Sequence, residues 1–341
     1  MMRILVGLSL LVLCSGVGAE ETAAVIETFK PPEAKSRSAP KYPKSAQHRS
    51  QEGWVTLSYM VDTAGKPYDI TVVRSSGIEA FEKAAVKAAK RWRYEPAELN
   101  GRKIDAGTAV SITFGLSGRT GASGLFVRKQ RRLHKAIEAG DKAEADKYLA
   151  ELRSRERNLY EEAYLNLSLY HYYGAWGSPE QQLTALHRTT FVDGPTSFLP
   201  KATLRSANMR KFALQLQMFH LADARQTGES LLEMGLDEEQ EAEVRKLLLE
   251  IEEAVASPAP IRSDGSIDEA YRFSRRLARR SFAFEGIDGD IAELRLHCDK
   301  AYLGMAYEED MSYTIPEGQE RCHLTAIGTP GTTFNLIELA D

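Results

Sequence analysis

Residues 54–61 read Trp-Val-Thr-Leu-Ser-Tyr-Met-Val. Val55, Leu57, Tyr59 and Val61 share one face at period two, with Thr56 and Ser58 on the other. That alternation is a half-buried β-strand. Asp62-Thr63-Ala64-Gly65-Lys66 supplies turn chemistry. Tyr68–Arg74 follows as a second strand with Ile70 and Val72 inward. The short connection makes the pair an antiparallel hairpin. Ser75-Ser76-Gly77 ends the strand and is expected to cap a helix. Ile78, Phe81, Ala85, Ala88 and Trp92 form the apolar stripe of that helix, with Lys83, Lys87 and Lys90 facing water. A closing strand over 109–116 places Val110, Ile112, Phe114 and Leu116 on one face and Ser111 and Thr113 on the other. The stretch therefore predicts a compact ββαβ unit over residues 41–117.

The ordered set Pro40-Lys41-Tyr42-Pro43, Ala46, Gly53-x-Val55, Val61-Asp62-x-x-Gly65, Ser75-Ser76-Gly77, Phe81, Ala84-Ala85, Trp92-x-Tyr94-x-Pro96 and Ile112-x-Phe114-x-Leu116 resembles the TonB C-terminal domain. The resemblance implies a periplasmic protein-binding module of the energy-transducer type. In such a module an extended segment of an envelope protein, such as an outer-membrane TonB-dependent receptor, pairs with a sheet edge. Backbone hydrogen bonds give affinity and side-chain pockets give selectivity. It assigns partner-binding roles to Pro40, Lys41, Tyr42 and Pro43 and to Ser111, Ile112 and Thr113. A structural role for Tyr42-Pro43, stapling the chain onto the domain, stands beside the binding role. The sequence departs from an energy transducer in three ways. No histidine precedes His48, no Pro-Glu or Pro-Lys repeats precede the module, and the module lies near the start of this chain. Coupling to a proton gradient is thereby placed in doubt, and a scaffold that pairs with an envelope protein is the leading expectation. An energy transducer anchored by an uncleaved N-terminal segment is the alternative, and an envelope enzyme a distant one.

Upstream, Arg3 precedes an apolar run from Ile4 to Gly18 that ends Val17-Gly18-Ala19. This is the pattern of a cleaved signal peptide over 1–19, too short for the roughly 20 residues of a spanning helix. Periplasmic localisation is expected, with inner-membrane anchoring as the alternative. Residues 20–40 carry Pro31-Pro32 and mixed charge and are expected to be a flexible lead-in. A chain of 341 residues, with 43% hydrophobic and 27% charged residues and a net charge of −4, is core-forming and not electrostatically built for nucleic acid.

Downstream, residues 118–125 are a Gly/Ser linker. Residues 126–256 are expected to be all helical, and breaks at Gly140 and Gly174, 34 residues apart, resemble degenerate tetratricopeptide repeats. Such helix pairs would offer a groove to a second protein partner. Pro258-Ala259-Pro260 lies in a second linker over 257–265. Residues 266–341 are expected to be a small β-rich domain, opened by a short Arg-rich helix over 266–279. Cys298 and Cys322, the pair left once Cys14 is assigned to the leader, predict a disulfide. The whole is an α+β multidomain chain.

No metal, cofactor or catalytic constellation is predicted. None of the seven histidines forms a His-Glu-x-x-His pair, and Asp288-Gly289-Asp290 lacks the remaining carboxylates of a calcium loop. His297 and His323 adjoin the cysteines and are expected on the surface of one strand pair. An exposed last strand also makes a homodimer an expectation.

Overall fold

The computed structural model describes residues 28–116, 121–154, 157–191, 199–319 and 321–340. The expected signal peptide, the first part of the lead-in and residues 117–120, where the module passes into the expected Gly/Ser linker, lie outside the described residues.

The first unit comprises β1 (Phe29–Lys30), β2 (Glu33–Ser36), α1 (Lys44–His48), β3 (Gly53–Val61), β4 (Pro67–Ser75), α2 (Glu79–Ala89), β5 (Arg93–Glu95), β6 (Ala97–Leu99), β7 (Arg102–Ile104) and β8 (Ala106–Phe114). Its main sheet has the antiparallel order β4-β3-β8, with Gly53 opposite Phe114 and Val61 opposite Ala106. Val55, Leu57, Tyr59 and Val61 turn inward against Phe81, Ala85 and Ala89 of α2. Each large apolar side chain buried there contributes about 1.5–3 kcal/mol. The hairpin turn needs Gly65 (φ +77°), because a Cβ there would lie 2.0 Å from the Tyr94 carbonyl oxygen.

Two details differ from expectation. The N-cap of α2 is Ile78, without a side-chain cap. Ser75 instead accepts from Gly77 N (2.9 Å) and donates to Glu82 (2.5 Å), so its hydroxyl ties the strand end to the helix. The lead-in is also paired where it is described. Phe29 and Lys30 lie opposite Leu99 and Glu98, and β2 pairs with β5. Low apolar content did not prevent order, because strand pairing supplies backbone hydrogen bonds whatever the side chains.

The middle unit is helical: α3 (Gly124–Glu138), α4 (Lys142–Arg153), α5 (Leu159–Trp176), α6 (Pro179–Thr189), α7 (Lys201–Gln217), α8 (Leu221–Glu233) and α9 (Glu238–Ala256). Ser123, Asp141, Asn158, Ser178 and Asp237 accept hydrogen bonds from the first turns of their helices, which fixes where each begins. Gly140 (φ +68°) ends the first helix as expected. Gly174 does not end the next. It lies inside α5, which stops at Gly177. The 34-residue spacing therefore does not mark the ends of these helices. One glycine costs only about 1 kcal/mol in a helix interior, and the flanking aromatics pack well enough to carry the helix through it. Leu221–Asp223 forms the first turn of α8.

The last unit is a β-sandwich of β9 (Ile261–Ser266), β10 (Arg272–Arg276), β11 (Ser281–Asp288), β12 (Ile291–His297), β13 (Tyr302–Ala306), β14 (Ser312–Thr314), β15 (His323–Gly328) and β16 (Thr333–Leu339). Its sheets have the orders β10-β15-β12-β13 and β14-β11-β16-β9. Phe273, Leu294, Leu296 and Leu324 from one sheet share a core with Phe282, Phe284, Phe334 and Leu336 from the other. Here the expected Arg-rich helix is corrected: residues 272–276 are a strand paired with β15. Phe273 and Arg275 are buried at period two while Arg272, Ser274 and Arg276 are half-buried. The first strand begins at Ile261, inside the segment expected to be a linker. Cys298 and Cys322 form the expected disulfide.

Candidate functional site: a free strand edge on a clamped module

β8 is an outer strand of its sheet. Along its free side, the hydrogen bond found among the described residues is at one end, from Gly107 N to the Cys298 carbonyl at 3.0 Å. A Cβ on Gly107 would lie 2.5 Å from that oxygen, so glycine is what permits the contact. Beyond it the edge from Thr108 to Phe114 is open. Ser111 and Thr113 are exposed, and Ile112 leans on the module core. Ser111 Oγ lies 2.9 Å from Thr56 Oγ1 across the sheet.

Tyr42 sits at the far end of the same strand. Its ring meets Phe81 (5.5 Å between centroids) and Phe114 (5.9 Å) edge-on, and its hydroxyl donates to the Gln51 carbonyl. Pro43 forms the N-cap of α1, and Lys41 is exposed. The structure thus brings Tyr42 into contact with the strand that carries Ser111, Ile112 and Thr113. The hydrogen bond and ring contacts give Tyr42-Pro43 a stapling role, while Lys41 and the open edge remain accessible.

The opposite outer strand, β4, is not open in the same way. A bulge places Asp69 at φ +45°, which turns its carboxylate toward the sandwich. Asp69 accepts from Arg295 Nη1 (2.9 Å) and lies 2.5 Å from His297 Nε2. His297 Nδ1 is 3.1 Å from Ser58 Oγ. Burial pushes the Asp69 carboxyl up, but His297 and Arg295 outweigh it and hold the group below the usual range. His297 is 5% exposed, so it is not the surface residue expected; the two units bury it between them. His323, its cross-strand neighbour, bonds separately to Ser274 Oγ at 2.6 Å. On the same sheet face, Trp54 stacks on Phe191 of the helical unit at 4.8 Å. Glu52 receives Leu116 N (2.8 Å) and Leu159 N (2.9 Å), placing a carboxylate at the N-terminus of α5, where the helix dipole favours negative charge. No local signal in the sequence marks the contacts of Asp69, Ser58, Trp54 and Leu159, because each joins residues from different units.

Residues 38–116 match the family model described as Gram-negative bacterial TonB protein C-terminal. The tonB2 protein of Pseudomonas aeruginosa is 44% identical over 79 residues, covering 23% of this chain and 29% of the relative. The TonB protein of Escherichia coli is 34% identical over 89 residues, covering 26% of this chain and 35% of the relative. The chain thus spans about a third of the length of these relatives. A solution structure of the Pseudomonas aeruginosa TonB C-terminal domain is 28% identical and covers 26% of this chain and 90% of its own, with a TM-score of 0.24. Among the described residues no helix is long and apolar enough to cross a membrane.

Proposed function

With residues 38–116 matching a TonB C-terminal domain, we propose that the chain acts in the cell envelope by pairing an extended segment of another envelope protein, such as an outer-membrane receptor, with the free edge of β8. The observation that carries this reading is the open edge from Thr108 to Phe114 beside Tyr42, on a module whose other outer strand and second face are engaged by the rest of the chain. An unpaired edge offers a row of backbone donors and acceptors, and the added strand would run past Ser111, Ile112 and Thr113. The helical unit is available to a second protein partner, and the same edge in a second copy is the alternative occupant.

A force-transmitting version of this role is the second reading. It is favoured by the relatives, which are TonB proteins, and it requires that the N-terminal segment be retained as an anchor. Sequencing the mature N-terminus decides between them: Glu20 as the first residue excludes the anchored transducer.

Binding is tested by titrating the isotope-labelled chain with a peptide from the periplasmic N-terminal segment of an outer-membrane receptor of the same cell. The expected result is amide shifts confined to residues 108–114 and the neighbourhood of Tyr42. Shifts centred on β4, or none at any residue, would overturn the reading.

A further inference from the structure

β13 is an outer strand of the sandwich, and its register shows which backbone groups it leaves unpaired. Cys298 N donates to the Ala301 carbonyl at 2.9 Å, and Tyr307 N to the Ala292 carbonyl at 3.1 Å. Between these bonds Leu296 lies opposite Leu303 and Leu294 opposite Met305. Antiparallel strands exchange hydrogen bonds at every second pair, so Leu303 and Met305 are the residues that bond β12. Tyr302, Gly304 and Ala306 therefore direct their N–H and C=O groups away from β12. Among the described residues no backbone hydrogen bond from another strand reaches those groups.

This edge also lacks the features that usually keep an outer strand from pairing, which are charges, prolines and very short length. The outer β10 carries Arg272, Arg275 and Arg276, the outer β9 carries Arg262 and Asp264, and the outer β14 has three residues. β13 reads Tyr302-Leu303-Gly304-Met305-Ala306, with no charge and no proline. Its inner face is apolar and incompletely covered. Leu303 and Met305 pack on the sandwich core but are only half-buried, and Met311 in the loop that follows is 49% exposed. The other side of the sandwich is bridged, since Arg275 of β10 donates to Ser263 Oγ of β9 at 2.5 Å.

We propose that a second copy of the chain pairs with β13, antiparallel and about a two-fold axis at Gly304. In this register Gly304 meets Gly304, Tyr302 meets Ala306, and Leu303 meets Met305 of the other copy. The outward groups of 302, 304 and 306 then satisfy one another through about six backbone hydrogen bonds. It is the register that uses all three outward residues of each copy, and a one-residue slip would set outward groups against inward ones. The side chains fit it as well. The large Tyr302 ring meets the small Ala306, and Gly304 adds no side chain at the axis; a Cβ there would lie 2.9 Å from the hydroxyl of Tyr302 in its own chain. Leu303 and Met305 of the two copies form the close, non-hydrogen-bonded pairs that extend the apolar face. Charge agrees, because Glu308 beyond one end of the strand is carried toward Lys300 of the other copy, while Asp299 next to Lys300 is paired with Arg321 of its own chain at 3.5 Å. The surface is separate from the β8 edge, so its failure leaves the strand-pairing reading untouched, and the reverse.

The test is sedimentation velocity of the full, disulfide-bonded chain from about 1 to about 200 µM, with amide hydrogen exchange measured at both ends of that range. A contact the size of one strand is small for a specific interface, so the dimer is expected to dissociate on dilution. Exchange is expected to slow with concentration at residues 302–306 and to stay unchanged at 108–114. Ala306→Pro removes one outward N–H from each copy at an exposed position that makes no hydrogen bond to β12. Two lost hydrogen bonds are expected to raise the dissociation constant at least about tenfold, with unchanged circular dichroism. Should the proline variant not fold, the exchange map of the natural chain still decides. A monomer at every concentration, a dimer protected elsewhere than 302–306, or a dimer unchanged by folded Ala306→Pro would each overturn the proposal. So would protection at 302–306 that appears only when the receptor peptide is added, since the occupant would then be another protein.

Discussion

Arg279 shows how a single side chain can set the relation between two units. It is 4% exposed, and its guanidinium donates to five backbone carbonyls: Ala254, Val255, Ser257, Ala259 and Glu338. The first three belong to the last turn and C-cap of α9, where a helix leaves its carbonyls without internal partners and favours a cation. Glu338 accepts from the backbone N–H groups of Ala278 (2.6 Å) and Arg279 (2.8 Å), which holds the same junction from the other side. Arg279→Ala strands these acceptors in a dry site, and is expected to destabilise the chain by about 3–5 kcal/mol in denaturant unfolding. Arg279→Lys keeps the charge but has three donors on one nitrogen and no fork, so it is expected to recover only part of the loss. A loss under 1 kcal/mol for Arg279→Ala would show that water replaces the guanidinium. In the sequence, Arg279 belonged to a run of arginines at 272, 275, 276, 279 and 280, which resembles a solvated helix face. Nothing local distinguishes Arg275 and Arg279, whose partners lie elsewhere in the chain.

Among the elements, the module was the most legible. β3, β4, α2 and β8 follow from periodicity, because each turns one apolar face toward the module core; the expected half-buried β3 is corrected, since the helical unit and the sandwich bury its second face at Trp54 and Ser58. The β-rich character of the last unit was legible too, since Gly, Asp and Pro turns separate the strands from β11 to β16. β10 was not. Its register depends on pairing with β15, and an Arg-rich strand carries almost no apolar alternation. The break read over Gly174 to Gly177 falls at its far end: α5 runs through Gly174 and stops at Gly177, since a glycine permits a helix end but does not require one. The candidate edge was legible only as far as the family pattern reached. Ser111, Ile112 and Thr113 do lie on an outer strand, but the anchoring of Gly107 on Cys298 depends on a unit the local sequence does not foreshadow. The disulfide closes a loop with a sequence separation of 24 at that anchoring point. Cys298→Ser with Cys322→Ser is expected to lower stability by about 3 kcal/mol in the chain-entropy picture, measured by chemical unfolding. Alkylation before and after reduction should find no free thiol in the oxidised mature protein and two in the reduced one; two free thiols before reduction would contradict the bridge.

At the scale of the molecule, the three units are interlocked instead of strung on linkers. Glu52, Trp54, Asp69, Asp223 and Arg279 each join two or more of them. The junction also holds the buried His220 and the half-buried His323. Burial pushes His220 and His323 each down to about 3, with Arg275 the next cause at His220 and Arg276 at His323. Their folded values lie below the unfolded value of about 6.5. The unfolded chain therefore binds more protons between those limits, and the stability that neutral burial contributes is full above about pH 6.5 and lost as pH falls toward 3. Thermal unfolding should accordingly show a falling midpoint from pH 7 to pH 5, above the ordinary carboxylate range, and His220→Gln with His323→Gln should flatten that slope. A midpoint independent of pH over this window would contradict it. The interlock leaves β8 as an open edge of the module's main sheet among the described residues. A photoreactive residue at Ser111, activated in intact cells, is predicted to capture an envelope protein that the same probe at the exposed Leu249 of α9 does not capture. Recovery of no adduct from correctly folded chain, of the chain's own dimer alone, or of the same adducts from both positions would contradict strand pairing with an envelope partner at this edge.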